Sequence, residues 1–427
     1  MQIAVYYCGP TVYDHVHIGN LRAFLTADIL VRTLRTKYPV TFVRNITDID
    51  DKIIARAHEN RESIRSLTNK TIALFHDDIQ KMGLLPPDIE PRATEHVDGM
   101  IKLIEELIHN GHAYVLRDED GKSVYFDTST YENHGKMSKR DHMEGESYIL
   151  KSEKRNPADF VLWKPSLAHQ PYWDSPWGKG RPGWHTECVV MSRKYLGEHF
   201  DIHGGGQDLL FPHHENENAQ ASCSGEHHDM MANYWVHNSM LLVDGKKMSK
   251  SEKNFLTIQD VLVTTHPEVL KMFLLSANYR TPVNFTWDSI HLMKKHLDRF
   301  YKAIELRGEI TDINVLSQKV LGYLYDDMNT PGLISYMHVL SNQAFNGDTD
   351  SANELYIAGR FLNIFNEINW FQSVDANFSA YIESMIALRA EHKINKKWQE
   401  ADDIRGKLFE NGIVLEDSKN GTTWRTR

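Results

Sequence analysis

The sequence predicts an α/β protein: a parallel-sheet body carrying an inserted subdomain, then an α-helical bundle and a small α+β end. Three observations carry this reading: a strand–helix–strand pattern at the start, its return near residue 199, and helical periodicity from residue 257 almost to residue 412. Residues 3–7 read as a short buried strand. Leu21, Leu25 and Ile29, joined by Phe24, Leu30 and Leu34, give a helical face up to Pro39, and residues 40–46 form a second apolar strand. That βαβ unit implies a parallel sheet with its ligand at the strand ends. Helical stretches follow, one of them near residues 97–109. A β-like insertion (113–116 and 123–127) comes next, then a charged, irregular connector over 128–155. The α/β pattern resumes at 199–204, where a Gly-rich turn precedes a helix entered by Pro212, whose fixed φ suits a first helical turn. A further strand over 234–243 ends at the Asp244-Gly245 turn. Thr257 with Asp260 makes a capping box, Pro267 opens the next helix, and residues 413–427 read as a hairpin around Asn420-Gly421.

Composition narrows the class. A chain of 427 residues suggests about three structural units, and 41% hydrophobic with 25% charged residues excludes a disordered or fibrous chain. No apolar stretch approaches the roughly 20 residues of a membrane span, and residues 1–10 lack the basic start and apolar run of a secretory signal. Three cysteines exclude a disulfide framework and fit a reducing cytoplasm. The net charge of −10 excludes a generally basic nucleic-acid binder, so any nucleic acid meets a local surface.

Four constellations carry chemistry. His17-Ile18-Gly19-Asn20 lies between the first strand and the first long helix. Gly19 permits close backbone approach, His17 and Asn20 can donate to phosphate oxygens, and the helix N-terminus adds N–H groups and a favourable dipole. A plain capped turn explains the same tetrapeptide. Lys247-Met248-Ser249-Lys250-Ser251 follows the 234–243 strand, and its lysines could neutralise charge on a departing pyrophosphate or form a solvated loop. Lys136-Met137-Ser138-Lys139 repeats part of it inside the polar connector and reads as a surface coincidence. Cys8, Cys188, His213 and Glu217 form a possible zinc set, His213 and Glu217 being i,i+4 near the start of one helix. Two ordinary buried cysteines and a surface helix is the competing account, and Cys223 reads as structural. Glycines 204–206 allow a nucleotide to approach, Trp184 could wall a small pocket, and Asp208 could hold an ammonium group or begin a helix.

In this order, the features resemble one family: the class I aminoacyl-tRNA synthetases, and within them the cysteinyl branch. The resemblance spans nearly the whole chain. It is carried by Tyr7-Cys8-Gly9-Pro10-Thr11-Val12-Tyr13-Asp14, by the 17–20 turn and by Arg44-Asn45-Ile46-Thr47-Asp48-Ile49-Asp50-Asp51-Lys52. Arg155-Asn156-Pro157, Asp159-Phe160-Val161-Leu162-Trp163-Lys164, Gly180-Arg181-Pro182-Gly183-Trp184-His185 and Phe200-Asp201-Ile202-His203-Gly204-Gly205-Gly206 extend it. Phe211-Pro212-His213-His214-Glu215-Asn216-Glu217 and the 247–251 loop complete it. The resemblance implies a Rossmann-like catalytic domain in two halves (1–110 and 156–250) around a connective subdomain (111–155). A stem-contact region (251–300), a helical bundle (301–375) and an anticodon-binding end (376–427) would follow.

It further implies that L-cysteine is activated by Mg²⁺-bound ATP to cysteinyl-adenylate and passed to its tRNA. His17, Asn20, Lys247 and Lys250 are the implied catalytic residues, with Gly9, His17, Gly19, Asn20, Gly204 and Lys250 around ATP. Thr47, Trp184, His185 and Asp208 would line the amino-acid pocket. One Zn²⁺ per chain would sit on Cys8, Cys188, His213 and Glu217 and bind the substrate thiolate; a site built on one demanded interaction rejects an analogue lacking it by roughly 10⁴–10⁵. Lys393, Trp398, Asp402 and Asp417 are the implied tRNA contacts. Between residues 389 and 427, nine Lys/Arg against seven Asp/Glu make a modest local basic shift. Ile394, Trp398, Ala401, Ile404 and Leu408 mark one amphipathic helix there, in which Trp398 either stacks on a base or packs in a core. A cytoplasmic monomer without membrane association is expected.

Two departures stand out. Asn20 occupies the position where the class motif has histidine, and it still donates a hydrogen bond. The chain also begins only seven residues before Cys8, a short start for the family. An amino-sugar cysteine ligase would keep the zinc and phosphate motifs but lack the anticodon-binding end. A non-catalytic paralog would have damaged motifs.

Overall fold

The computed structural model describes residues 2–139, 154–168, 170–225, 230–249, 252, 254–310, 315–367, 370–372, 376–418 and 421–426. The chain divides into two compact units, residues 1–293 with 317–335, and residues 294–316 with 336–427. The strands of the first unit are β1 (Ile3–Tyr7), β2 (Val40–Arg44), β3 (Ala113–Asp118), β4 (Gly121–Phe126), β5 (Phe160–Pro165), β6 (Gly180–Pro182), β7 (Phe200–Gly206), β8 (Ala232–Asn238), β9 (Leu241–Val243), β10 (Lys246–Lys247) and β11 (Val283–Phe285).

A parallel sheet in the order β2-β1-β7-β8 forms the centre. The helix Ile18–Arg35 makes the β1-to-β2 crossover, as the βαβ reading requires. It buries Leu21, Phe24, Leu25, Ile29 and Val31, which together with Val5, Tyr7 and Val43 shield the sheet from water. The β-like insertion forms β3 and β4 of an antiparallel sheet, β3-β4-β5-β6, which continues past the expected boundary at residue 155 into β5 and β6, and the predicted helix over 97–109 runs Val97–His109. A third small sheet, β10-β9-β11, has β9 antiparallel to β10 and parallel to β11. The tight turn of the first pair places Asp244 at φ 50° and Gly245 at φ 76°, the left-handed pair that a two-residue hairpin demands. Thr257 and Asp260 form the expected capping box, and Pro267 opens the helix Pro267–Leu275.

Three expectations for this unit need correction. The apolar run 234–243 is two strands in two sheets: it leaves the main sheet after Asn238, and Ser239 N donates to Tyr279 O at 2.7 Å. The glycines 204–206 are the end of β7, paired with Val236, His237 and Asn238, and make no turn. A side chain at Gly204 would place its Cβ 2.1 Å from the Tyr7 ring, so close strand contact is what selects glycine. Pro212 enters a helix as expected: Phe211 before it is extended (φ −136°, ψ 130°), and the helical turn that begins at Pro212 runs on into the helix Glu215–Ser222. Finally, β11 interrupts the supposedly all-helical second half.

In the second unit, the helices Ala376–Ile394 and Trp398–Glu410 pack with an antiparallel hairpin of β12 (Ile413–Ser418) and β13 (Gly421–Thr426). Ile382, Ile404, Leu408, Ile413, Leu415 and Trp424 make its core. The predicted apolar stripe is split. Ala401, Ile404 and Leu408 are buried, whereas Ile394 and Trp398 are 81% and 60% exposed, because the helix breaks at Lys396, which has φ 57°. Among the described residues no helix is long and apolar enough to cross a membrane.

Candidate active site

A cleft of about 360 Å³ opens at the carboxyl ends of β1 and β7, the position a parallel sheet offers a ligand. The chain leaving β1 is zipped to the chain leaving β2: Val12 N donates to Thr47 O and Thr47 N to Pro10 O, both at 3.1 Å. Gly9 N donates to Asn45 Oδ1 at 2.9 Å. On the other flank Cys8 N donates to Gly204 O at 3.0 Å. These bonds fix Cys8 and Gly9 between two strand ends.

His17 is the N-cap of the helix Ile18–Arg35, its Nδ1 accepting from Asn20 N at 3.2 Å. The proton of the neutral ring therefore sits on Nε2. Burial draws the imidazole down to about 4 despite the opposing pull of Asp208, so His17 is neutral at pH 7. Its ring meets Phe255 edge-on at 5.3 Å. Ile18 N donates to Leu256 O at 3.1 Å and Ile258 N to Val16 O at 3.0 Å, which ties the segment after the 247–251 loop across the 17–20 turn. Gly19 faces the Met248 methyl, where a Cβ would come within 3.3 Å. Lys247, on β10, is exposed at the cleft rim. Lys250 lies outside the described residues.

At the floor, Cys8, Cys188, His213 and Glu217 bring one donor atom each within 4.8 Å of one another, all buried. The two sulfurs are 3.9 Å apart, Cys188 Sγ is 3.6 Å from His213 Nε2, Cys8 Sγ is 3.8 Å from Glu217 Oε1, and His213 Nε2 is 2.7 Å from Glu217 Oε1. A tetrahedral zinc with sulfur bonds of about 2.3 Å has a sulfur–sulfur edge of about 3.8 Å, so the thiol pair fits. The contact with Cys8, helped by His213, draws the Cys188 thiol down to about 6, while burial and its neighbour push Cys8 up. Burial opposes ionisation of Glu217, yet His213 and His203 hold it well below the carboxylate range. A thiolate beside a carboxylate is charge that a dication balances. The residues present fit zinc.

Cys8 and Glu217 also belong to a second set with His203 and His214, to which the sequence motifs assign no role. His203 Nε2 lies 2.6 Å from Glu217 Oε2, and His214 Nε2 lies 3.4 Å from Cys8 Sγ. The signal available was the clustering of histidines around residues 203–214.

Thr47 Oγ1 accepts from Asn45 Nδ2 and donates to Glu187 Oε2, both at 3.1 Å. Trp184 stacks on His213 with centroids 4.2 Å apart, and it lines the cleft with Thr47 and Asp208. His185 and Gly204 stand behind the lining: His185 Nδ1 lies 2.9 Å from His213 Nδ1, and Gly204 packs on Tyr7. The 136–139 repeat is apart from the cleft. Its Ser138 N, with Gly135 N, donates to the Glu215 carboxylate at 2.9 Å.

In the second unit Asp417 is a hub. It receives Arg389 at 2.8 and 2.9 Å, Lys393 at 3.3 Å, Arg405 at 2.5 Å and Thr422 Oγ1 at 2.7 Å. Arg389 above all holds its carboxyl far below the usual range. Asp402 is exposed on the helix that Trp398 begins.

A family model described as the catalytic domain of class I (C) tRNA synthetases matches residues 1–295, and one described as the cysteinyl-tRNA ligase anticodon-binding domain matches residues 375–425. The cysteine–tRNA ligase of Gluconobacter oxydans is 50% identical over 430 residues, covering 99% of this chain and 93% of that one. That of Granulibacter bethesdensis is 46% identical over 433 residues, covering 99% and 91%. Among solved structures, the Mycobacterium tuberculosis methionyl-tRNA synthetase bound by methionyl-adenylate matches with a TM-score of 0.61 at 13% identity, over 85% of this chain and 90% of that one. The LeuRS of Agrobacterium radiobacter K84 in its ternary complex matches with a TM-score of 0.60 at 11% identity, over 84% and 83%. At those identities the likeness is one of fold alone.

Proposed function

The chain belongs to the cysteine–tRNA ligase family of class I aminoacyl-tRNA synthetases, and on that premise we propose that it charges tRNA with L-cysteine through a cysteinyl-adenylate, in a zinc-bearing site that uses Mg²⁺-bound ATP. The observation that carries the reading is one cleft with a buried thiol–imidazole–carboxylate floor and a phosphate-receptive rim.

Cys8, Cys188, His213 and Glu217 would hold the zinc, which when bound supplies a soft acceptor for the substrate's thiolate that serine's hydroxyl does not match. Trp184, stacked on His213, walls that end of the cleft, and Thr47 keeps its wall rigid through Asn45 and Glu187. Asp208 at the rim receives the α-ammonium group. The substrate carboxylate then lies toward the 17–20 turn. Neutral His17, Asn20 and the helix N-terminus donate to the phosphates. Lys247, with Lys250 beyond it, meets charge developing on the departing pyrophosphate. No protein nucleophile is required, because positioning and charge stabilisation carry such a step. In the second unit, Trp398 offers a stacking face and Lys393 and Asp402 offer polar contacts to the anticodon, while Asp417 orders the hairpin behind them. The enzyme acts as a cytoplasmic monomer.

The test is charging of labelled cysteine onto total tRNA with Mg·ATP and zinc-loaded protein. Acid-stable label on tRNA, absent with serine, is expected; no charging by folded, zinc-loaded protein would overturn the reading.

A further inference from the structure

Two residues beyond Asn20, the helix Ile18–Arg35 carries a buried cation. Arg22 is 2% exposed. Its Nη1 donates to Ser239 O at 2.9 Å and Met240 O at 2.8 Å, and its Nη2 donates to Asn278 O at 3.0 Å and Thr281 O at 2.5 Å. All four acceptors are backbone carbonyls. Burial lowers the guanidinium only to about 10, so it is charged at neutral pH.

Packing alone does not call for such a residue. Desolvating a charge is costly, and an apolar side chain of similar volume fills the same space without that penalty. What the guanidinium adds is a planar fork of donors that fixes the positions of several acceptors at once. Here the acceptors lie on two chain segments. One is the crossing from β8 to β9, where Ser239 and Met240 line the cleft. The other is the turn before β11, joined to the first by Ser239 N donating to Tyr279 O at 2.7 Å and by the β9–β11 pairing. The strand β9 leads through its hairpin to Lys247 on β10.

We propose that Arg22 is a positioning residue for adenylation: it holds the 239–240 wall of the cleft and the root of the hairpin bearing Lys247 at a fixed distance from His17 and Asn20. This rests on the adenylation reading above. The side chain touches no substrate; it acts through the carbonyls it grips.

The experiment is cysteine-dependent ATP–pyrophosphate exchange, with ATP binding measured by equilibrium dialysis, on full-length zinc-loaded protein. Arg22→Lys retains the charge but loses the fork. Its kcat is expected to fall about tenfold and its KM for ATP to rise several-fold, with KM for cysteine and zinc content unchanged, since small displacements of positioning groups cost up to about 100-fold. Arg22→Gly is expected to fall further and to recover in part with added ethylguanidinium. Wild-type kcat and ATP KM in Arg22→Lys, whatever its melting temperature, would overturn the proposal in favour of a purely structural role. So would equal losses for ATP and cysteine. If Arg22→Gly does not fold, Arg22→Lys alone decides. A wild-type protein without exchange would refute the adenylation reading itself, and ATP binding by Arg22→Lys would still judge the wall.

Discussion

Replacing Gly9 by alanine tests the site at its tightest point. A Cβ built on Gly9 lies 1.6 Å from the carbonyl oxygen of Asn45 and 2.7 Å from its carbon, where real contacts do not come inside 3.0 Å. One side must move by about 1.4 Å, the difference between those limits. Asn45 is poorly placed to yield: it is buried, its side chain bonds Gly9 N and Thr47, and the neighbouring Thr47 bridges Thr11. The 8–10 turn therefore moves and carries Cys8 with it. A shift of that size is more than half of a zinc–sulfur bond of about 2.3 Å, so the sulfur leaves its place beside Cys188 and Glu217. The expected result is a loss of exchange activity of about 100-fold, and a loss of zinc affinity beyond the roughly 10–100-fold cost of disturbing an outer partner. An overpacking cost of about 1–3 kcal/mol in stability accompanies it. Zinc retention is read by titration with a competing chelator, and activity by pyrophosphate exchange. A Gly9→Ala protein that keeps its zinc and exchanges within about threefold of wild type would refute the reasoning, because the turn would then tolerate the shift that geometry forbids.

Further predictions follow from separate features. Cys188→Ser exchanges a soft donor for a hydroxyl and should abolish zinc retention and cysteine activation together; unchanged zinc content and exchange would reject the ligand assignment. Trp424 is buried and donates to Glu383 Oε1 at 2.7 Å, so Trp424→Ala should cost its unit about 3–5 kcal/mol in denaturant unfolding and abolish tRNA charging, yet leave pyrophosphate exchange intact. Loss of exchange as well would show that the catalytic unit depends on that core. Trp398→Ala, at a site 60% exposed, should leave the melting temperature unchanged while raising the KM for tRNA by the about 1–3 kcal/mol of a lost base stack; an unaltered KM would remove Trp398 from the interface. Burial, then His296 and Arg299, hold His338 down to about 4 from its ordinary 6.5. The folded state thus takes up that proton less readily than the unfolded chain, and stability falls as pH drops from 6.5 toward 4. His338→Gln should flatten that part of the melting-temperature profile, and parallel profiles would contradict the assignment.

Local signals served the sequence well where neighbours in the chain decide the structure. The capping box at Thr257, the Asp244-Gly245 turn and the apolar strand over 3–7 each depend on a few adjacent residues, and each is found. Where distant partners decide, the reading failed. Nothing between residues 234 and 243 announces a change of sheet, because the change is dictated by Tyr279 and Val283. Gly204 reads as a turn residue until the Tyr7 ring from another strand is seen against it. The stripe from Ile394 to Leu408 keeps its period across a break that only the left-handed Lys396 reveals. The donor types alone offer the grouping of Cys8 with Cys188, 180 residues apart, as one of two accounts, and family resemblance strengthens it, since no spacing rule joins positions so remote. His203 and His214 were visible as histidines, but their approach to Glu217 and Cys8 needs β7 and the following helix to be in place.

That remoteness has a consequence during synthesis. Cys8 sits at the end of β1, and its partner Glu217 follows 209 residues later. At about 5–20 residues per second, a ribosome takes roughly 10–40 seconds to deliver the second after the first. The β1–β7 pairing that seats Cys8 is equally late, because β7 is translated only after the whole insertion. A nascent chain can thus close its opening βαβ unit early but holds that thiol apart from Glu217 for about half of translation. On the proposed zinc assignment, metal capture would follow synthesis of Glu217, and the floor of the cleft would be a late part of the catalytic unit to close.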